Sequence, residues 1–116
     1  MTKRGDVVLV DFPFTSGSQS KIRPALVVQN DLSNRRLGKT IVALITGNLR
    51  AVAEPTNLLI DPSLPEHASS GLHGKSLVTC TNLYTIDQVS VIRTIGRLDS
   101  AVLARIGSCL RAALAI

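Results

Sequence analysis

The sequence predicts a mainly β (α+β) fold: a small, strongly bent sheet or open barrel of short, mostly antiparallel strands, closed by a C-terminal helix. Two patterns carry this expectation. Short β-branched runs separated by clusters of Gly, Pro, Asn, Asp and Ser fill residues 7–98, and apolar residues take up helical spacing only after Asp99. Many short strands with one terminal helix bury their apolar surfaces most simply by packing that helix on one face of the sheet.

Residues 7–12, Val-Val-Leu-Val-Asp-Phe, read as the first strand, opened by the Gly5-Asp6 turn and ended by Pro13. Residues 15–22, rich in Ser, Gly and Gln, form a polar loop that leads into a strand at 25–29. Residues 30–39 carry Asn, Asp, Ser and Gly among basic side chains and read as a second exposed loop. The strand at 40–45 stops at Thr46-Gly47-Asn48, and a short strand at 57–60 precedes the turn-rich stretch 61–71. Residues 75–79 and 82–86 are either two strands or one bulged strand. Residues 91–98 alternate as a further strand. Asp99 then caps a helix over 100–115, where Leu103, Ile106, Leu110 and Ala113 recur at helical spacing beside Val102 and Cys109. That helix is roughly 24 Å long. No repeat, linker or low-complexity segment interrupts the chain, so 1–116 reads as a single domain.

Composition narrows the function classes. The chain has 116 residues, of which 45% are apolar, enough for a real core and too many for disorder. Thirteen basic against eight acidic side chains give a formal charge of +5, which favours a polyanionic partner. Phe12, Phe14 and Tyr84 are the only aromatics, too few for a platform that stacks successive bases; contact with a nucleic acid would rest on Arg, Lys and polar loop groups. Cys80 and Cys109 lie far apart within apolar patterns and read as buried, reduced thiols, not zinc ligands. His67 and His73 lack metal-ligand spacing and read as solvated loop histidines. No metal and no cofactor is expected. The N-terminus has no apolar signal region and no apolar run reaches spanning length, so a soluble, cytoplasmic protein without membrane contact is expected.

No Gly-x-Ser-x-Gly elbow, P-loop or evident carboxylate pair is present. What remains is a set of polar groups at strand ends. In Lys21-Ile22-Arg23-Pro24, proline stiffens the backbone where the loop enters the strand, which suits a guanidinium that must hold a phosphate. Thr46 supplies a hydroxyl, and Gly47 lets a ligand approach the backbone. Neighbouring strands can bring Arg23 and Thr46 to one rim, where they would stabilise a pentavalent phosphate. Each also has an ordinary alternative: a surface ion pair for Arg23, a strand-ending β-former for Thr46.

Taken together, 4–12, Arg23-Pro24-Ala25-Leu26-Val27-Val28, Ile45-Thr46-Gly47-Asn48, Gly71-Leu72, Lys75-Ser76, Thr85-Ile86-Asp87, Ile95-Gly96-Arg97-Leu98 and the closing helix resemble the MazF/PemK toxins of bacterial toxin–antitoxin systems. The match runs in order along essentially the whole chain. The resemblance implies an SH3-like barrel, usually a homodimer, that cleaves single-stranded RNA at short motifs by attack of the 2′-hydroxyl without metal. It implies Arg23 and Thr46 as catalytic residues, Thr15, Lys21, Asn48, Thr81 and Asn82 as RNA-binding residues, and an antitoxin with an acidic, disordered tail as partner. The chain departs from the family pattern in two places. Gly17-Ser18-Gln19-Ser20-Lys21 is one residue shorter than the usual loop and lacks its glutamate, and Thr81-Asn82 stands where an acidic residue followed by Gln is common. Two alternatives belong to other classes: a non-catalytic, CcdB-like gyrase-binding toxin, and a barrel that binds nucleic acid only electrostatically.

Overall fold

The computed structural model describes residues 1–12 and 21–116. Six strands, β1 (Asp6–Phe12), β2 (Lys21–Val27), β3 (Lys39–Thr46), β4 (Asn57–Ile60), β5 (Ser76–Asp87) and β6 (Val91–Arg97), form one sheet in the order β4-β5-β3-β2-β1-β6. Every neighbouring pair is antiparallel. Two α-helices, α1 (Asp31–Arg36) and α2 (Ser100–Leu114), and two short 3-10 turns, Pro65–Ser70 and Gln88–Ser90, complete it. Among the described residues no helix is long and apolar enough to cross a membrane.

Both faces of the sheet are apolar, and each face is covered differently. Val7, Leu26, Ala43, Ile45, Leu58, Ile60, Val78 and Cys80 pack with Val102, Ile106 and Cys109 of α2. Val102, Ile106 and Cys109 mark the centre of the helix stripe, with Leu103, Leu110 and Ala113 half-buried beside it. Burying each of the larger aliphatic side chains contributes roughly 1.5–3 kcal/mol. The other face gathers Val8, Val10, Phe12, Ala25, Val27 and Val42 with Leu44 and Tyr84. Phe12 on β1 and Tyr84 on β5 meet with ring centroids 5.2 Å apart, although β2 and β3 lie between their strands in the sheet. The sheet is therefore curled around its second apolar cluster.

Most expected elements are present, with three corrections and one open alternative decided. The expected loop at 30–39 contains α1, capped by Asn30, whose Oδ1 accepts the Ser33 N–H at 2.7 Å. Asn34 is buried in α1; its carboxamide accepts from Gln29 Nε2 and from the Thr40 hydroxyl and donates to the Gln29 carbonyl. β2 begins at Lys21, earlier than expected, because β1 continues to Phe12 and pairs with it. Pro24 is tolerated there because the β2–β3 pairs run from Ala25 to Val27 and leave its β3 side open. His67 is buried rather than solvated: its Nδ1 accepts the Asp61 N–H at 2.9 Å, which fixes the chain entering the Pro65–Ser70 turn. The alternative left open at 75–86 resolves as one bulged strand. Ala43 pairs with Leu83 and Leu44 with Thr79, so residues 80–82 are excess on β5.

Cys80 and Cys109 are buried free thiols, as expected. Burial pushes the Cys80 thiol up to about 12, with the Cys109 thiol beside it acting in the same sense. Burial also raises Cys109.

Candidate active site

β2 carries Arg23 two residues before Ala25, and β3 carries Thr46 two residues after Leu44; Ala25 and Leu44 are cross-strand partners. The β2–β3 pairs end there, and Arg23 and Thr46 are the next residues of the same parity on their strands beyond that end. Strand alternation aims both side chains toward the face that bears Ala25, Val27, Val42 and Leu44. The two groups thus belong to one end of one face, and Arg23 sits within β2 rather than at a loop tip.

Arg23 is half-buried, and its Nε is shielded from solvent without a hydrogen-bond partner among the described residues. The ion pairs found among those residues, Lys39–Asp87 and Arg97–Asp6, each at 2.7 Å, do not involve it. Thr46 is oriented by its own turn. Its Oγ1 accepts the backbone N–H of Asn48 at 3.1 Å, which leaves the hydroxyl hydrogen free to donate outward. Asn48 Oδ1 in turn accepts the Arg50 N–H at 3.0 Å.

The bulge in β5 builds the adjoining wall. Thr79 Oγ1 donates to the Leu44 carbonyl at 2.7 Å and accepts from Asn82 Nδ2 at 3.1 Å, which ties the bulge to β3 just before Thr46. A cavity of about 350 Å³ results, lined by Thr46, Asn48, Arg50 and Asn82 over Leu44, Ala51, Leu77 and Thr79. Three of the residues expected from the sequence, Thr46, Asn48 and Asn82, are brought together there. Lys21 is exposed on β2, on the same face as Arg23 by alternation. Thr81 is exposed on the bulge and does not contribute to the cavity wall. Thr15 lies outside the described residues. Arg50 and Thr79 were not expected; the alternating Thr46-x-Asn48-x-Arg50 after a strand end was the available signal.

A larger cavity, about 570 Å³, lies on the reverse side of the same strand ends. Pro24 and Gly47, the chain neighbours of Arg23 and Thr46, line it with Leu9, and the 71–76 segment and β6 close it with Lys75 and Arg93. Gly71 and Gly96 lock that segment against β6. Gly71 has φ of 75°, and a Cβ there would lie 2.0 Å from the Ile95 carbonyl oxygen; a Cβ on Gly96 would lie 2.4 Å from Ser70 backbone atoms. No Asp or Glu is among the described residues that line either cavity. Among the described residues no group of three or more His, Cys, Asp or Glu is placed to hold a metal ion.

Comparison with known proteins gives a consistent result. Residues 3–114 match the family of PemK-like, MazF-like toxins of type II toxin–antitoxin systems. Endoribonuclease EndoA of Bacillus subtilis is 32% identical, with 100% of this chain and 97% of the relative aligned. Endoribonuclease MazF of Staphylococcus saprophyticus is 42% identical over 64 residues, which cover 54% of this chain and 53% of that protein. Among solved structures, a mycobacterial endoribonuclease in complex with its cognate antitoxin superposes with a TM-score of 0.79 at 22% identity, over 100% of this chain and 97% of that one. A MazE-MazF structure from Deinococcus radiodurans superposes with a TM-score of 0.75 at 21% identity, over 99% and 97% of the two chains. At that identity the solved structures establish the shared fold.

Proposed function

The chain belongs to the PemK-like, MazF-like toxins of type II toxin–antitoxin systems and is an endoribonuclease of that family, and we propose that it cuts single-stranded RNA at short motifs without a metal ion. In this reading the 2′-hydroxyl attacks the adjacent phosphorus, and the bond from phosphorus to the 5′-oxygen breaks. The products are a 2′,3′-cyclic phosphate and a 5′-hydroxyl. Arg23 stays protonated throughout and donates to the non-bridging oxygens, where negative charge grows in the pentavalent transition state. Thr46 donates its free hydroxyl hydrogen to the same oxygens. No carboxylate of the described residues lines either cavity, and in this reading the 2′-proton leaves to water and the 5′-oxygen takes one from water.

The observation that carries the reading is a shielded Arg23 Nε with no hydrogen-bond partner among the described residues, on the strand beside the one that ends in the oriented Thr46 hydroxyl. A buried N–H left without a partner costs roughly 1–3 kcal/mol, and a phosphate oxygen would remove that cost. Lys21, Asn48, Thr81 and Asn82 would guide the strand across the rim, and Thr15, outside the described residues, is assigned to RNA binding with them. The +5 charge supports attraction both to RNA and to an antitoxin whose acidic, disordered tail folds across the same cleft. Exposed Ile92 on β6 and Leu114 and Ile116 at the end of α2 are surfaces that a homodimer would cover. The site of action in this reading is the cytoplasm.

The experiment is direct. Single-stranded RNA is incubated with the protein in EDTA, and the new ends are identified chemically. Cyclic phosphate and 5′-hydroxyl ends are expected; cleavage abolished by the chelator, or 5′-phosphate ends, would overturn the mechanism.

A further inference from the structure

Arg50 is a cation in the smaller cavity that the phosphate chemistry leaves unused. It stands on a locked turn: Thr46 Oγ1 holds the Asn48 N–H, and Asn48 Oδ1 holds the Arg50 N–H, at 3.1 and 3.0 Å. The guanidinium itself forms no ion pair among the described residues. Those bonds fix the backbone from which the Arg50 side chain leaves, next to Thr46.

The polar groups of the cavity sort into a pattern. Thr79 Oγ1 is committed in both directions, donating to Leu44 and accepting from Asn82. Asn48 Oδ1 is occupied by the Arg50 N–H. Apart from the Thr46 hydroxyl, which serves the phosphate, the groups left free among the described residues are the Arg50 fork and Asn48 Nδ2 as donors, with Asn82 Oδ1 as an acceptor. Leu44, Ala51 and Leu77 give apolar walls between them. The volume of about 350 Å³ is at the low end for small-ligand pockets, the size class of one nucleotide.

A guanidinium fork matches two adjacent acceptors, which guanine presents as O6 and N7 and unpaired cytosine as N3 and O2; of the two, only guanine then keeps its Watson–Crick edge free. Guanine also carries N1–H and an N2 amino group, donors that suit a free carboxamide oxygen. Adenine places an amino donor beside N7, where it would oppose the fork. We infer that this cavity seats a guanine next to the cleaved bond, with Arg50 reading O6 and N7 and Asn82 Oδ1 accepting from the N1–H or N2 amino edge. The inference rests on the RNA-cleaving reading above. It makes Arg50 a specificity-determining residue, with a discrimination against other bases of roughly 10- to 100-fold.

The test uses the full chain on a library of random-sequence single-stranded RNA, with sequencing of the cut ends. The wild type is expected to show guanine enriched at one of the two nucleotides flanking the cut. In R50A that enrichment falls about 10- to 100-fold. R50K keeps the charge without the fork and is expected to lose the enrichment as well, while binding RNA with a salt dependence like that of the wild type. Cleavage without guanine preference, or a preference that R50A leaves intact, overturns this inference and leaves the nuclease reading standing. A library that the wild type leaves uncut overturns both.

Discussion

Thr46→Val is the sharpest separation of chemistry from fold at this site. Valine keeps the β-branched shape that suits the end of β3 and removes only the hydroxyl. Two hydrogen bonds are at stake, and they have different consequences. The first is the acceptance of the Asn48 N–H at 3.1 Å, where Asn48 is exposed; its N–H turns to water instead, so stability falls by no more than about 1 kcal/mol. For a chain of 116 residues that is a melting-temperature change of about 4 °C or less. The second is the donation to the phosphate oxygens, made only when charge develops there. Losing one such donor lowers kcat by roughly 100- to 1,000-fold, or about 2.7–4 kcal/mol. Single-turnover cleavage of a one-site RNA, run alongside a thermal melt, measures both. Thr46→Ser restores the hydroxyl and is expected to recover most of the rate. A kcat loss below tenfold, or a serine variant as slow as the valine one, would refute the assignment of Thr46.

Two further expectations concern the scaffold. Gly96→Ala would press a methyl against Ser70 backbone atoms at 2.4 Å, so it should destabilise by roughly 1–3 kcal/mol or more, whereas Gly74→Ala, with nothing within 4 Å, should stay within about 0.5 kcal/mol; urea titration reads both. Burial holds the Cys80 thiol up to about 12 against an ordinary 9.0, so the folded chain keeps a proton that the unfolded chain releases. That contribution to stability is fully present below about pH 9 and is lost as pH rises toward 12, by about 1.4 kcal/mol per pH unit. Cys80→Ala should flatten this alkaline slope in denaturant titrations from pH 8 to 11, and an unchanged slope would contradict it.

The parts of the fold that were legible in the sequence are those where one physical signal dominates. The strands announced themselves because residues such as Val7, Val8 and Val10 are β-branched and punctuated by turn residues, and α2 because Val102, Ile106 and Cys109 recur at helical spacing after a capping Asp99. α1 was not legible. Its 6 residues, DLSNRR, have no apolar period, and it is held by polar groups, Asn30 at its cap and Asn34 buried against Gln29 and Thr40. Such contacts pair groups across the fold, and local pattern does not report them. His67 was missed for a similar reason: its burial follows from a backbone N–H that reaches it across a turn.

The candidate site was half legible. Arg23, Thr46, Asn48 and Asn82 stand out as polar residues at strand ends. Arg23 and Thr46 come to one end of one face because β2 and β3 are neighbours, and Thr46, Asn48 and Asn82 meet through the three extra residues that β5 carries opposite Ala43 and Leu44. Arg50 needed that geometry to be noticed at all, since in the sequence it is one basic loop residue among many.

The central claim is that Arg23 acts as a fixed charge on the transition state and not as an acid or base. Single-turnover cleavage by Arg23→Ala, measured across pH in EDTA, tests it most directly. The account predicts a rate lower by about 1,000-fold or more, with a pH profile of the same shape as the wild type. A loss under tenfold, or the disappearance of one limb of the profile, would contradict it.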